Sequence, residues 1–586
     1  MKSFFTNILS TIIGIVSSII ILILIFFGII SIMSSNKETT IQENSILKID
    51  LSNISVVERT SENPFDGLNL SGEVKETIEL RQLLNNIEKA KKDDNIKAIY
   101  ISTPFINAGL SQIEEIRNKL LEFKKTKKPI IAYSEVYSQS AYYFASVANN
   151  IYLNPEGIVE LKGLSISQLF FKGLLEKLDI DMQIIRHGKF KSAVEPFTLE
   201  KMSPGNREQM TRFLNSIADN IMDSIASQRG FSLSEIQKHA NNLSLENAKI
   251  CLDLNYVDAL LYQDQVEANL LKTSGGTKLN LITLEKYTDI KIKEDEEKEI
   301  SRNKIAIIYA TGTINSGKGD EKSIGSETTS RAIKEAREDK NVKAIVFRIN
   351  SGGGSALASD VIWRETILTK KAQKPLVVSM GDYAASGGYY IACAADSIVA
   401  NPTTLTGSIG VFGMVPNLQK FYKNQLGITI DTVNTNKSAD MGTNRPLTNF
   451  ERRKIQEGVE DIYTTFITHV SEGRNMSTTA VDEIGQGRVW TGYDAKSIGL
   501  IDTFGGLEKA IEIAAYLGKI ENYRIISLPK KKDPFTEFAL KIGSKASITD
   551  LVMQKLGYKT NLIDPIENLL TEDKIQARIP FIIQLK

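Results

Sequence analysis

The chain has 586 residues, enough for more than one folding unit, and 71 Lys+Arg against 70 Asp+Glu give it a formal net charge of +1. That balance argues against a dedicated nucleic-acid binder, which carries a basic surplus. Two cysteines (Cys251, Cys393) exclude a disulfide framework or a Cys-based zinc site, and three histidines (His187, His239, His469) argue against a His-rich metal centre.

From Ser3 to Asn36 no residue is charged, and Ile12–Ile32 offers about the 20 apolar residues needed to cross a bilayer. A cleavable signal peptide has a shorter apolar core and a small-residue exit. The exit here reads Met33-Ser34-Ser35-Asn36-Lys37, so residues 1–40 are expected to form an uncleaved signal anchor that binds the lipid bilayer. Positive-inside logic puts the amino terminus in the cytoplasm and residues 45–586 outside it.

Beyond the anchor the chain repeats itself. Asp94–Ile99 recurs as Lys340–Ile345, and Lys128–Ile131 as Lys374–Val377, both at an offset of 246. Tyr142–Ala145 through Asn154-Pro155 recurs at 247 as Tyr389–Ala392 through Asn401-Pro402. Lys191-Ser192-Ala193 matches Lys437-Ser438-Ala439, and Ala248-Lys249 matches Ala495-Lys496. One offset held this long marks a tandem duplication. The copies are expected at 45–290 and 305–530, joined by a charged linker at 291–304 and followed by an extension at 531–586. In each, apolar β-branched runs such as Lys343–Ile349 and Pro375–Met380 alternate with helical stretches such as Ser355–Leu368, predicting βαβ units and an α/β fold with a largely parallel sheet. Ligands of such sheets bind beyond the carboxyl ends of the strands.

The copies differ at those ends. The second has Asn350-Ser351-Gly352-Gly353-Gly354-Ser355 and Ala384-Ala385-Ser386-Gly387-Gly388; the first has Thr103–Asn107 and Tyr137–Ala141 without glycine. Serine followed by glycines at a strand-to-helix turn suits an exposed nucleophile with backbone donors for an oxyanion. Rival readings fit less well. Gly312–Lys318 covers most of a P-loop, but position 319 is glycine where Ser or Thr must reach Mg²⁺. Gly352–Gly354 followed by Leu357 breaks a dinucleotide turn. No histidine adjoins the turns, and no GxSxG elbow surrounds Ser386. A lysine of lowered pKa can serve instead as base. Lys191 and Lys437 occupy equivalent positions, each 51 residues beyond a serine turn (Ser140 and Ser386), and the repeat alone does not choose between them.

Taken together, the anchor, the duplication, Lys191–Phe197 (KSAVEPF), Ala385–Tyr390 (ASGGYY), Leu405–Gly410 (LTGSIG) and Val489–Gly492 (VWTG) resemble the long form of the bacterial signal peptide peptidases, the protease IV group of peptidase family S49. The resemblance covers nearly the whole chain. It implies two copies of a Clp-protease/crotonase-like fold and a catalytic pair split between them, with Ser386 as nucleophile and Lys191 as general base. It implies further that Ser408, where the first copy has Leu164, hydrogen-bonds the lysine, and that Gly387 and the Gly353-Gly354 turn form the oxyanion hole. The resemblance implies no cofactor, and as partners it implies peptides left from cleaved signal sequences and further copies of the chain in a membrane-anchored tetramer, with catalytic domains expected on the periplasmic side of the inner membrane. Gly352 stands where the family commonly has proline. Lys437 occupies the place of the catalytic lysine of shorter single-copy relatives and is the alternative base. Ser140, without following glycines, is read as vestigial. Two other functions compete: a crotonase-like acyl-CoA enzyme, which needs a CoA site, and a non-enzymatic membrane scaffold.

Overall fold

A computed structural model describes residues 41–60, 76–290, 301–531 and 575–579, with isolated positions between 10 and 21. Most of the expected anchor at 12–32 lies outside the described residues, as do residues 291–300 of the expected linker and most of the extension. Among the described residues no helix is long and apolar enough to cross a membrane.

The apolar runs become parallel strands covered on both faces, the setting that continuous Ile/Val/Ala runs require. In the first copy the sheet runs Ala259–Leu260, Asn150–Val159, Ile130–Tyr137, Ile96–Ile101, Ser45–Ile49, Asn280–Thr283, with every neighbouring pair parallel. The second copy repeats that order with Lys304–Thr311, Val342–Ser351 and Leu376–Ala385 at its centre and Arg524–Leu528 at one edge. At its other edge Leu405–Gly407 pairs parallel with Leu376–Ala385 and antiparallel with Val489–Thr491. Ile345, Val346 and Phe347 have no exposed surface, and each such side chain stabilises the fold by about 1.5–3 kcal/mol. The duplication extends to the longest helices. Pro204–Arg229 and Asn449–Arg474 both have 26 residues, begin at a hydroxyl cap (Ser203, Thr448) and end at a left-handed residue (Gly230, Asn475). The tandem α/β architecture expected from the repeat is present.

Two features join the copies. The first is a shared sheet. Asp181–Arg186, from the first copy, pairs antiparallel with Phe412–Asn417 of the second. The same sheet continues through Ile575–Arg578 to Gly353–Ser355, Thr313–Asn315 and Ser323–Gly325. The second is a buried ionic seam. Arg348, fully buried on the central strand of the second copy, contacts Glu58 (Nε to Oε2, 2.8 Å) and Glu115 (Nη2 to Oε1, 2.8 Å), both from the first. Its remaining donors reach Ser379 Oγ at 2.9 Å and the Met380 carbonyl at 3.2 Å. Gln112 donates to Glu58 (3.0 Å), the Ser111 amide donates to Asp382 (2.8 Å), and the Leu507 amide donates to Glu115 (2.7 Å). A buried charge is tolerated only when paired and hydrogen-bonded in this way. Arg348 lies two residues before Asn350-Ser351, so the seam sits directly behind the glycine turn.

Candidate active site

Ser386 ends the strand Leu376–Ala385 and caps the short helix Gly387–Ala392 with φ 57° and ψ −115°. A side chain in that left-handed region is strained by an amount on the order of 1–3 kcal/mol, and its surroundings must hold it there. The Ser386 amide donates to the Gly407 carbonyl at 2.7 Å, and the Tyr390 amide donates to the Ser386 carbonyl at 2.8 Å. The next amide, Gly387 N–H, opens the helix and has no intrahelical acceptor. A side chain at Gly387 would press on Ser359 Oγ at 2.7 Å and on Gly353 Cα at 3.2 Å, so the two glycine turns meet only because neither has a side chain.

Lys191 arrives from the other copy. Asp181–Arg186, pinned to Phe412–Asn417, carries the chain across, and Lys191 follows it at the start of the 3₁₀ turn Ser192–Val194. Its neighbours explain the KSAVEPF pattern. Buried Glu195 accepts from the Ser203 amide (3.1 Å), Ser203 Oγ (2.6 Å) and Asn206 Nδ2 (2.9 Å), while Phe197 stacks on Phe171. Gln209 donates to Ser192 Oγ and to the Phe190 carbonyl, both at 3.0 Å, and accepts from the Val489 amide at 3.2 Å. Gly487, at φ 79°, packs against the lysine backbone so closely that a Cβ there would lie 2.7 Å from Lys191 Cα, and Gly410 lies against the lysine stem.

This packing delivers Lys191 Nζ to 2.7 Å from Ser386 Oγ, with both residues buried. Nζ is also 3.1 Å from Ser408 Oγ and 3.3 Å from the Ser408 carbonyl. Burial pushes the amine pKa well below the usual lysine range, and the positive charge of Arg578 lowers it further. Ser408, at φ 50°, is fixed by its amide donating to the Arg488 carbonyl (2.7 Å) and its hydroxyl donating to the Gly487 carbonyl (3.3 Å).

The other sequence-predicted residues are placed as follows. Lys437 lies in an exposed turn, whereas Ser386 is fully buried. Ser140 sits inside the helix Gln139–Ala145, which Ser138 caps with its own hydroxyl. Leu164 is half-buried against the first copy's core. Gly353, at φ 101°, donates its amide to Ser351 Oγ (3.1 Å), so that donor of the expected oxyanion set is already engaged. Gly354 faces Ile314 on one side and pairs with Ala577 on the other. His239 and His469 are helix residues that meet the Tyr256 hydroxyl (3.1 Å) and Asp360 (3.4 Å). Gln209 and Gly487 were not singled out in sequence, although Gly487 falls just before the Val489–Gly492 motif, and Gly410 entered only as the last residue of the Leu405–Gly410 motif.

A strained, buried serine beside a deprotonatable amine and glycine amides, on a duplicated α/β frame, defines a serine peptidase. The chain belongs to peptidase family S49, whose profile matches it twice, over residues 122–275 and 369–521, once in each copy. "Protease 4" of Salmonella typhi is 38% identical over 76% of this chain and 73% of that protein. "Protease 4" of Haemophilus influenzae is 35% identical over 84% and 83%. "Serine protease SPPA, chloroplastic" of Arabidopsis thaliana is 33% identical over 86% and 74%. Among solved structures, ClpP1 from Listeria monocytogenes overlays 38% of this chain and 99% of its own, at 13% identity and a TM-score of 0.24.

Proposed function

We propose that this peptidase is an endopeptidase with a Ser386/Lys191 catalytic pair that degrades apolar peptides, including the remnants of cleaved signal sequences. The observation that carries the reading is the 2.7 Å approach of a buried lysine amine to the buried Ser386 hydroxyl. A neutral amine has two N–H donors and one lone pair. With the two donors on Ser408 Oγ and the Ser408 carbonyl, the lone pair is directed at Ser386 Oγ. Lys191 takes the hydroxyl proton as Oγ attacks the substrate carbonyl. Gly387 N–H stabilises the oxyanion, a contribution worth about 10²–10³-fold per donor. The resulting ammonium protonates the leaving amine. Lys191, neutral again, then activates water to hydrolyse the acyl-enzyme.

The uncharged stretch at 12–32 supports anchoring in a bacterial inner membrane with the catalytic copies on the outer side. A homotetramer follows from the family resemblance. The near-zero net charge suits apolar substrates, which need little electrostatic steering. The test is hydrolysis of an apolar peptide by the full chain. Ser386→Ala is expected to lower kcat by at least about 10⁴-fold with folding intact, and a serine-directed acylating reagent should map to Ser386 and leave Ser140 unlabelled. Undiminished hydrolysis by Ser386→Ala would overturn the reading.

A further inference from the structure

Lys191 comes from the first copy, but the turn packed against it comes from the second. Gly485–Arg488 touches both the lysine and its hydroxyl partner Ser408. The Gln486 carbonyl accepts from the amide of Phe190, the residue before the lysine, at 2.9 Å, and a Cβ at Gly188 would lie 2.5 Å from that same oxygen. The Gly487 carbonyl accepts from Ser408 Oγ at 3.3 Å, and the Arg488 carbonyl accepts from the Ser408 amide at 2.7 Å. One short turn thus fixes the lysine backbone and the hydroxyl that its amine meets.

That turn needs a restraint of its own. Gln486 has φ 55°, in the left-handed region disfavoured for any residue with a side chain. Its Nε2 donates to both oxygens of Asp482, at 2.9 and 3.0 Å, and its amide donates to the Tyr463 hydroxyl at 3.3 Å. The Tyr463 hydroxyl in turn donates to Asp482 Oδ1 at 2.5 Å. Burial and the adjoining Asp482 carboxylate push the Tyr463 pKa up, so the phenol keeps the proton it donates. Tyr463 is 3% exposed on the helix Asn449–Arg474, and Asp482 lies on the helix Thr478–Ile484. The first copy meets the same tyrosine: the His187 ring, four residues before Lys191, stacks on it with centroids 3.7 Å apart. At the repeat offset of 246–247 the first copy has Ile217 and Ser216 in place of Tyr463.

We propose that Gln486 is a positioning residue: tied by Tyr463 and Asp482, it locks the Gly485–Arg488 turn and so holds the Lys191 amine on Ser386 and away from water. The inference rests on the Ser386/Lys191 reading above and deepens it. Gln486 acts through its carbonyl bond to Phe190 and through Gly487, which packs on the lysine backbone. A small displacement there is costly, because misplacing a catalytic group by about 1 Å can cost about 10²-fold in rate.

The test is hydrolysis of an apolar peptide by the full chain across pH, alongside thermal unfolding of each variant. Gln486→Gly keeps the left-handed conformation without steric cost and removes the side chain that ties it to Asp482. Tyr463→Phe removes the hydroxyl and keeps the ring on His187. Both are expected to be folded at the assay temperature and to lower kcat by about 10–10²-fold, with KM changed by less than about twofold. Both should also move the acidic limb of the kcat/KM profile to higher pH. Burial is what depresses the Lys191 pKa, so an amine released toward water regains a higher value and is protonated earlier as pH falls. Wild-type kcat with an unmoved limb in folded Gln486→Gly overturns the proposal and leaves the catalytic pair standing. A lower kcat with an unmoved limb assigns Gln486 a merely structural role and overturns it as well. Full hydrolysis by Lys191→Ala overturns the Ser386/Lys191 reading, and the positioning of that lysine with it.

Discussion

The two copies share a strand order and a pair of 26-residue helices, yet they diverge at the same two strand ends. In the second copy the strand stops at Ser386 in a left-handed conformation and the helix begins on Gly387. In the first, Ser138 caps in an extended conformation with its own hydroxyl, and Ser140 is absorbed into the helix. The lysines diverge in the opposite sense: Lys191 of the first copy is buried at the serine, whereas Lys437 of the second is exposed. Each copy thus contributes one half of the Ser386–Lys191 contact. The strand Asp181–Arg186, which crosses to Phe412–Asn417, is what brings the halves together. The contact therefore depends on how the copies dock.

The sharpest way to break that comparison is to exchange the lysines' fates. Lys191→Ala is expected to lower kcat/KM by about 10²–10⁴-fold, the range for losing a general base, while Lys437→Ala stays near wild type in the same peptide assay. Full activity in Lys191→Ala together with loss in Lys437→Ala would transfer the role to the second copy. Removing the buried amine also removes its desolvation cost, so Lys191→Met should unfold at a higher temperature than the wild type while remaining inactive.

The docking seam gives the next largest effect. Arg348→Met strands Glu58 and Glu115 together in a buried site, and breaking a buried pair in this way costs about 3–5 kcal/mol. Denaturant unfolding should show that loss, whereas removing the exposed pair Lys249–Asp253 by Lys249→Ala should change stability by less than about 1 kcal/mol. Because Arg348 lies behind the Ser351–Gly353 turn, its loss is also expected to lower peptidase activity. An Arg348→Met chain of wild-type stability would show that the seam does not hold the copies together.

Much of the frame was legible in sequence because it is local and repeated. Ile/Val runs specify parallel strands, and the 246-residue offset exposes the duplication without reference to contacts. Ser386 and Gly353 were legible for a related reason: glycine beside serine at a strand end advertises its own backbone geometry. Lys191 was not legible in that way. Its proximity to Ser386 depends on Asp181–Arg186 pairing with a strand more than 220 residues later, and nothing local to Lys191 encodes that register; the repeat left it equal to Lys437, and family resemblance separated them. The Arg348–Glu58–Glu115 seam is equally long-range, since charged residues in a sequence do not disclose which will be buried. Gly487 drew no attention in sequence and Gly410 only as part of a motif, because their packing against Lys191 is a long-range contact. Ile575–Arg578 is a four-residue strand in an otherwise unassigned extension, too short to carry a periodic signal.

The smallest expected effect isolates Ser408, the residue the first copy replaces with Leu164. Lys191 is depressed by burial, so the neutral amine persists well below the usual lysine pKa, and activity is lost only as pH falls through that lowered value. Ser408 Oγ accepts from Nζ in both protonation states but more strongly from the ammonium. Ser408→Ala therefore has two separable consequences. Loss of one orienting hydrogen bond, about 0.5–1.5 kcal/mol, should lower kcat by about 2–12-fold. Loss of an acceptor that favours the charged amine should lower the Lys191 pKa and move the acidic limb of the kcat/KM profile to lower pH. A residue that merely fills space would reduce activity without displacing that limb, and a displacement toward higher pH would mean that Ser408 favours the neutral amine. Thr at this position keeps the acceptor, so Ser408→Thr should restore the wild-type limb even where its added methyl, against the tightly packed Gly487 turn, leaves kcat reduced.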